Sequence, residues 1–338
     1  MSICLIVANP VAGGVSPELV DRVAQRCAAA GATAGTQWTT AAGSATAQVA
    51  AAVTGATPPQ LVIAVGGDGT VREAAEGLAR GLGRWDGAAT ADGPALVIMP
   101  AGTGNSVHRA LWADRPWDEV LDVCLGSVFT GRPGAGRSAD AGAGSARKVT
   151  VRHLDLARIV GADRAVLLGA SSGFIAEVTA AARDFLHVPG RERYHQALAR
   201  VLADFRPYPG RVLLDGKLLH EGPTTMATVG GGRHRVGAFE VLPRSVLDDG
   251  LLDVCVVDGD LDDTYRAELA GQIMAGAHVG RPGITYAQGR RITIERTDGE
   301  PVTFEHDGEL WRVDGAAVTL AVVPSAVPAC APVEPVAG

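Results

Sequence analysis

The chain has 338 residues with 47% hydrophobic side chains, enough to bury a large core and, by its length, to form two domains. Its formal net charge of -7 argues against nucleic acid as a partner, because nucleic acid is bound by a basic face. The five cysteines lack the paired spacing of a zinc site, and no apolar run approaches the roughly 18 residues that span a membrane, so we expect a cytoplasmic protein.

The first third of the chain alternates strand and helix patterns. Apolar runs that predict strands lie at residues 3–7, 61–65 and 95–99. Ser16 as N-cap and Pro17 at the first helical position predict a helix that ends before Gly31. Further helix patterns lie at residues 44–54, from 71 onward and at 116–124. This alternation is typical of parallel βαβ units, so we predict an α/β domain with a parallel sheet.

Each of the three strands leads into a loop of small residues. The loops are Asn9 to Gly14, Gly66 to Thr70 and Pro100 to Asn105. Glycines let backbone N–H groups approach an anion, and the helix N-terminus after Thr70 adds a partial positive charge. Because parallel strands end at one edge of a sheet, the loops are expected to converge on one crevice. This arrangement favours a nucleotide site over the alternative of three turns without a ligand.

The composition and the hydrophobic pattern of the sequence change after residue 126. Residues 131–144 are rich in Gly, Ala, Ser and Arg and indicate a flexible connection or a long hairpin. Short β-like runs then dominate and predict an antiparallel sandwich, which helical stretches interrupt at 176–186, 194–205 and 262–277. The tail at residues 326–338 is rich in Pro and Ala and is predicted to be disordered.

Five sequence segments resemble, in their order and spacing, the catalytic family of diacylglycerol, sphingosine and ceramide kinases, which are distantly related to NAD kinase. The motifs are Asn9-Pro10 with its glycines, Gly66 to Glu73, Pro100 to Asn105, and the two late segments Leu247 to Asp253 and Asp307-Gly308-Glu309. Together they extend over nearly the whole chain.

The resemblance implies an α/β domain and a β-sandwich domain with a cleft between them. The nucleotide-binding domain would cover residues 1–128 and be completed by about 311–325, and the sandwich that binds the acceptor would cover 129–310. ATP and Mg²⁺ are the implied cofactors, and the implied reaction is phosphoryl transfer to a hydroxyl of a lipid such as diacylglycerol or a sphingoid base. Peripheral contact with the inner membrane surface is expected, and a homodimer is possible on the same grounds.

The resemblance places the catalytic base in Asp307-Gly308-Glu309. The Glu309 carboxylate would take the proton of the acceptor hydroxyl, with Asp307 as the next candidate. Asp68 is implied to act beside the ATP-bound Mg²⁺ together with Glu73. Asp-Gly is also a common hairpin turn and recurs in this chain, for example at Asp298, so an ordinary turn is the alternative.

A second Mg²⁺ is implied at Asp249. The Asp249 carboxylate, with backbone carbonyls near Val246 and Leu251, would bind this ion, which would be linked through water to Asp68. The residues implied to contact the nucleotide are Asn9, Gly13, Thr40, Gly66, Gly67, Asp68, Gly69, Thr70, Glu73, Thr103 and Arg193.

Three residues depart from the family pattern and leave the acceptor open. Arg72 stands where many relatives have asparagine, and Ser106 and His108 stand where bacterial diacylglycerol kinases usually have aspartate and alanine. The same chemistry on a soluble alcohol is therefore one alternative. A non-catalytic nucleotide-binding regulator is another, although the carboxylates of the three motifs argue against it.

Overall fold

A computed structural model describes residues 2–87, 93–130, 148–185, 187–188, 192–235 and 239–333. The chain forms two compact units, Met1–Leu154 with Ser325–Gly338, and Asp155–Pro324. The expected connection at 131–144 lies outside the described residues.

The first unit contains a parallel sheet with helices between its strands. Its elements are β1 (Ser2–Ala8), α1 (Pro17–Ala29), β2 (Ala32–Trp38), α2 (Ser44–Thr54), β3 (Leu61–Gly66), α3 (Asp68–Gly81), β4 (Ala95–Pro100), α4 (Ser106–Trp112) and α5 (Trp117–Leu125). The strand order is β2-β1-β3-β4, with all three pairings parallel. All six residues of β3 are buried, as expected for a central strand with helices on both faces. The predicted α/β domain is confirmed.

Two helix starts show how the local sequence acts. The Ser16 hydroxyl accepts a hydrogen bond from the Leu19 N–H, and Pro17 occupies the first helical position, as predicted for α1. Helix α3 begins at Asp68 rather than at Val71, the predicted start. Residues 68–70 of the second loop therefore form the first turn of α3, whose N–H groups have no partner within the helix.

The second unit is dominated by antiparallel strands. Its elements are β5 (Val149–Ile159), β6 (Arg164–Val166), β7 (Ala170–Gly173), α6 (Phe174–Ala181), α7 (Glu192–Asp204), β8 (Tyr208–Leu214), β9 (Lys217–Gly230), β10 (Leu252–Asp258), α8 (Asp263–Met274), β11 (Ile284–Gly289), β12 (Arg291–Arg296), β13 (Thr303–His306), β14 (Glu309–Arg312) and β15 (Ala317–Pro332). The strands pair in the order β14-β13-β7-β9-β8-β12-β15, while β10 pairs with both β9 and β11, and β5 pairs with β6. The predicted antiparallel β-sandwich is confirmed.

The division between the units differs from the expected one. The boundary lies at residues 154 and 155 instead of 128 and 129, and the segment that completes the first unit begins at Ser325 instead of about 311. Strand β14 pairs with β13, and residues 317–321 of β15 pair with β12, so both belong to the antiparallel sheet.

The prediction of a disordered tail at residues 326–338 is wrong for residues 326–332. These residues form the end of β15, where Ala329 pairs in parallel with Leu96 of β4. Their small apolar side chains are buried, with Ala326, Val327 and Ala329 fully inaccessible. Alanine and proline content indicates disorder only when no partner strand is present, and here β4 supplies one. Residues 334–338 lie outside the described part of the chain.

Candidate functional site

The three small-residue loops of the first unit contact one another at the carboxyl end of the parallel sheet. The Asn9 side-chain amide donates to the Thr70 hydroxyl at 3.0 Å. The Gly14 N–H donates to the Ala101 carbonyl at 3.0 Å, and the Ala101 N–H donates to the Gly66 carbonyl at 2.9 Å. Loops that are 30 to 90 residues apart in sequence thus form one continuous edge.

Glycine is required where these loops approach most closely. A Cβ on Gly102 would lie 2.4 Å from the Gly67 Cα, and a Cβ on Gly66 would lie 2.5 Å from the Thr70 hydroxyl oxygen. At Gly13 no atom lies within 4 Å of the same position, so the first loop has open space beside it. Closely packed backbone next to open space suits phosphate, because main-chain N–H groups can then reach the anion.

Asp68 connects the second loop with the third. One of its carboxylate oxygens accepts the Ser106 N–H at 3.0 Å, and the other accepts the Val107 N–H at 3.1 Å. The carboxylate therefore satisfies the free N–H groups at the start of α4, and Ser106 contributes its backbone rather than the carboxylate of the family pattern. Each oxygen keeps a second lone pair that could accept a water or a metal-bound water.

Glu73 performs the same task for α2. Its two carboxylate oxygens accept the N–H groups of Gly43 at 2.8 Å and Ala45 at 3.3 Å. Ser44 does not cap this helix, since its hydroxyl accepts the Thr40 N–H and donates to the Ala41 carbonyl. The exposed Thr40 is thereby placed on a loop that is joined to α3.

The three departures from the family pattern have structural partners. Arg72 is buried on α3, with guanidinium nitrogens 3.8 Å from Glu73 and 3.7 Å from Glu76. His108 is buried, and its Nε2 lies 3.0 Å from the Arg115 carbonyl oxygen. These contacts lie within the first unit and do not identify the acceptor.

Asn105 shapes the third loop around Thr103. It has a positive φ of 52°, which asparagine tolerates better than most residues. Its side chain accepts the Gly102 N–H and donates to the Gly102 carbonyl, both at 2.9 Å. Thr103 is held exposed at the tip of the loop. The Gly-Thr-Gly-Asn sequence of the loop could have indicated that Asn105 shapes it.

In the second unit, Asp307 is a buried acceptor of backbone hydrogen bonds. Its carboxylate accepts the N–H groups of Leu167, Leu168 and Gly169 at 2.9, 2.8 and 3.2 Å. The side chain is only 2% exposed, and the backbone has a φ of 48°. This geometry makes Asp307 an anchor for residues 167–169, and we do not retain it as a candidate base.

Glu309 lies at the first position of β14 and is accessible. Its side chain is 47% exposed, and one oxygen accepts a hydrogen bond from the Arg164 guanidinium at 2.8 Å. The same guanidinium lies 5.4 Å from the centroid of the Trp311 ring. Sequence reasoning missed Arg164, because it is 145 residues from Glu309 and belongs to no motif.

The structure distinguishes the two Asp-Gly-Glu segments of the chain. In residues 298–300, Asp298 is 33% exposed and binds its neighbours Arg296 and Glu300. In residues 307–309 the aspartate is buried against a distant segment. The first segment is thus an ordinary local turn, whereas the second joins two separate parts of the sandwich.

Two buried ionisable side chains, Glu305 and Arg235, lie beside the second of these turns. The Glu305 carboxylate accepts the Gly308 N–H at 3.0 Å, and burial raises the pKa of Glu305 above its usual value. Burial also lowers the pKa of Arg235, while the carboxylates of Glu305 and Asp307 oppose that shift. Arg235 donates to the Leu168 carbonyl at 2.6 Å, so it holds the segment that Asp307 binds.

The expected metal residues form an exposed turn. Asp249 accepts the Leu251 N–H at 3.0 Å through one carboxylate oxygen, and its other oxygen lies 3.4 Å from the Gln288 side-chain nitrogen. Val246 is 39% exposed. Within the described residues no group of three His, Cys, Asp or Glu side chains could hold a metal. One carboxylate with backbone carbonyls is an all-oxygen donor set, which fits a Mg²⁺ that keeps several waters.

Arg193 lies near the start of α7 and packs on its neighbour. Its guanidinium is 4.9 Å from the Tyr194 ring centroid and 3.3 Å from the Tyr194 hydroxyl.

All five cysteines are free and buried. Among the helices of the described ranges, none is both long enough and apolar enough to cross a bilayer.

Comparison with known proteins identifies the class that this fold and these loops define. Residues 3–131 match the diacylglycerol kinase catalytic domain, and residues 169–331 match the YegS C-terminal NAD kinase beta sandwich-like domain. The two matched segments correspond to the α/β unit and the sandwich, and they define a lipid kinase.

Individual relatives agree with the domain matches. A probable lipid kinase YegS-like protein of Pseudomonas fluorescens is 30% identical over 250 residues, covering 71% of each chain. A diacylglycerol kinase of Bacillus subtilis is 28% identical over 309 residues, covering 90% of this chain and 88% of its own. The chain belongs to the diacylglycerol kinase and YegS-like lipid kinase family. A crystal structure of a putative diacylglycerol kinase from Bacillus anthracis shares the fold, with a TM-score of 0.71 at 21% identity over 99% of this chain and 98% of that one.

Proposed function

We propose that the protein uses ATP and Mg²⁺ to phosphorylate a hydroxyl group of a lipid such as diacylglycerol or a sphingoid base, in peripheral contact with the inner membrane surface. The observation that carries the nucleotide part is the joined edge of three loops, where Asn9 bonds Thr70 and Gly67 packs on Gly102. Such an edge offers main-chain N–H groups and a helix N-terminus to phosphate.

In this proposal the loops of the first unit bind and orient the nucleotide. Gly13, Gly67 and Gly69 let the backbone approach the phosphates, and the hydroxyls of Thr40 and Thr103 donate to the nucleotide from exposed positions. Asp68 would hold the Mg²⁺ ion through water, because its carboxylate oxygens keep free lone pairs. When bound, ATP supplies the phosphoryl group and Mg²⁺ neutralises its charge.

Glu309 takes the proton of the acceptor hydroxyl in the proposed reaction. Its exposure allows a substrate hydroxyl to come within hydrogen-bond distance. A general base must reach this distance before it can take the proton, whatever its pKa. Asp307 holds residues 167–169 and so fixes the turn from which Glu309 extends.

A direct test incubates the purified protein with labelled ATP, Mg²⁺ and a panel of diacylglycerol, sphingosine, ceramide and phosphatidylglycerol in vesicles, with soluble polyols alongside. A labelled lipid product supports the proposal and identifies the acceptor class. Label in a polyol alone would indicate the same chemistry on a soluble alcohol. Nucleotide binding without any product from the panel would favour a regulator.

The Glu309→Gln variant tests the base. We expect turnover to fall roughly 10²-fold or more with little change in ATP affinity, as for the loss of a general base. Glu300→Gln is the matched control, because Glu300 occupies the same place in the other Asp-Gly-Glu segment and is exposed. Turnover that is equally normal in both variants would reject Glu309 as the base.

A further inference from the structure

The Glu309 carboxylate is held by a residue that lies outside every motif of the family resemblance. Arg164 opens β6, a strand of three residues that pairs with the end of β5. Its guanidinium donates to Glu309 at 2.8 Å and lies 5.4 Å from the Trp311 ring centroid. Glu309 and Trp311 are two residues apart on β14, so their side chains lie on the same face of the strand.

The Trp311 ring also has a buried neighbour. Its centroid lies 5.6 Å from that of the His306 imidazole, which is fully buried on β13. The contact with His306 limits the movement of the Trp311 ring, and guanidinium groups pack well on aromatic faces. The contact restricts the orientation of the guanidinium that binds Glu309.

The segment that contains Arg164 is held at two points by the same turn. Arg164 binds Glu309, and the N–H groups of residues 167–169 bind Asp307. The Asp-Gly-Glu turn and residues 164–169 therefore fix each other, and neither carboxylate of the turn is positioned by β14 alone.

The ion pair has little to contribute to stability. The Arg164 side chain is 24% exposed and that of Glu309 is 47% exposed, and pairs in such surroundings are screened by water. A planar guanidinium nevertheless orients a carboxylate, and small errors in the position of a reacting group reduce turnover strongly.

We infer that Arg164 is a positioning residue. Its guanidinium packs on the Trp311 ring and holds the Glu309 carboxylate in the orientation that receives the acceptor proton. This inference rests on the proposed role of Glu309 as the base. In this inference Arg164 acts through its hydrogen bond to Glu309.

The test compares Arg164→Gln, Arg164→Lys, Glu309→Gln and the Arg164→Gln/Glu309→Gln double variant in the lipid kinase assay. Arg164→Gln should lower kcat about 10- to 100-fold with the KM values for ATP and lipid little changed. Arg164→Lys should recover part of this loss, because it keeps the charge but not the planar fork. In the double variant the Arg164 substitution should add no further loss to that of Glu309→Gln.

Two further measurements separate positioning from a general structural effect. Arg164→Gln should shift Tm by about 3 °C or less, as expected for an exposed pair. In protein labelled with 5-fluorotryptophan, it should move the ¹⁹F resonance of Trp311, which is assigned with Trp311→Phe. Arg211→Gln is the control, because it removes another exposed pair of this unit, with Glu221 at 2.7 Å, and should change neither kcat nor that resonance.

The outcomes that overturn the inference differ from those that overturn the base. Wild-type kcat in Arg164→Gln, an unmoved Trp311 resonance, or losses that multiply in the double variant would reject the positioning role while Glu309→Gln remains impaired. Full activity of Glu309→Gln would reject the base itself, and the positioning role with it.

Discussion

The Asn9 side-chain amide donates a hydrogen bond to the Thr70 hydroxyl, 3.0 Å away, and so joins the loop after β1 to the first turn of α3. Thr70 is buried, and its hydroxyl lies beside Gly66, where no side chain would fit. The contact holds two loops of the proposed phosphate site in a fixed relation before any nucleotide arrives.

Gly67→Val should abolish ATP binding while the protein still folds. The backbone at Gly67 is extended, with a φ of -88°, which valine adopts readily. Its Cβ would lie 3.3 Å from the Gly102 Cα, so the added methyl groups would occupy the space beside the loops. Calorimetry should show no ATP binding, with an unchanged circular dichroism spectrum. Gly35→Val in β2 meets no atom within 4 Å and should bind normally. Wild-type affinity in Gly67→Val would show that these loops do not bind the phosphates.

Asp307→Asn should destabilise the sandwich by about 1–3 kcal/mol, because one amide oxygen cannot replace a carboxylate that accepts three N–H groups. Asparagine tolerates the positive φ of this position, so the backbone itself is not strained. Urea unfolding measures the loss, and hydrogen exchange of residues 167–169 should accelerate. The control Asp298→Asn changes the exposed aspartate of the other Asp-Gly-Glu segment and should cost much less. Equal costs would contradict the anchoring role.

Asp249→Asn should weaken the response of the protein to Mg²⁺. Asparagine keeps an oxygen to accept the Leu251 N–H, so the turn is retained while its charge is lost. We expect lower activity and a smaller rise of Tm on addition of Mg²⁺, since only a bound ion adds stability in this way. Asp314→Asn, at a position that is 92% exposed, is the control. A Mg²⁺ response like that of the wild type in Asp249→Asn would remove this residue from the metal site.

Stability should decrease in alkaline solution because of Tyr208. Burial raises the pKa of Tyr208 from 10.0 to about 12, although its hydrogen bond with Ser172 opposes the shift. The unfolded tyrosine loses its proton first, so the contribution of Tyr208 is complete below pH 10 and is lost as the pH rises to about 12. The free energy of unfolding should therefore fall by about 2 kcal/mol more in the wild type than in Tyr208→Phe over this range. The prediction would be contradicted if urea unfolding showed the same decrease in the free energy of unfolding between pH 10 and pH 12 for the two proteins.

Much of the first unit could be predicted from local sequence. Ser16 and Pro17 specify the start of α1, because a cap and a fixed φ act within one helical turn. The glycine loops could be placed at strand ends because each directly follows an apolar run in the sequence. The start of α3 at Asp68 was missed by three residues, since the loop and the first helical turn share the same residues.

The second unit shows where local sequence fails. The Asp-Gly-Glu segments at 298–300 and 307–309 are identical in sequence, yet only one binds a distant segment. The tail at 326–332 has the composition of a disordered segment but pairs with β4. In both cases the deciding partner lies far away along the chain.

The sequence by itself determined the class of fold and the position of the three loops, because periodicity, caps and glycine act over a few residues. The residues assigned to phosphate, metal and proton transfer stay predictions. Only the tertiary structure decided that Asp307 anchors backbone while Glu309 stays exposed, and that Arg164 binds Glu309 from 145 residues away. The physical reason is that burial and hydrogen-bond partners are set by long-range packing, which no local pattern encodes.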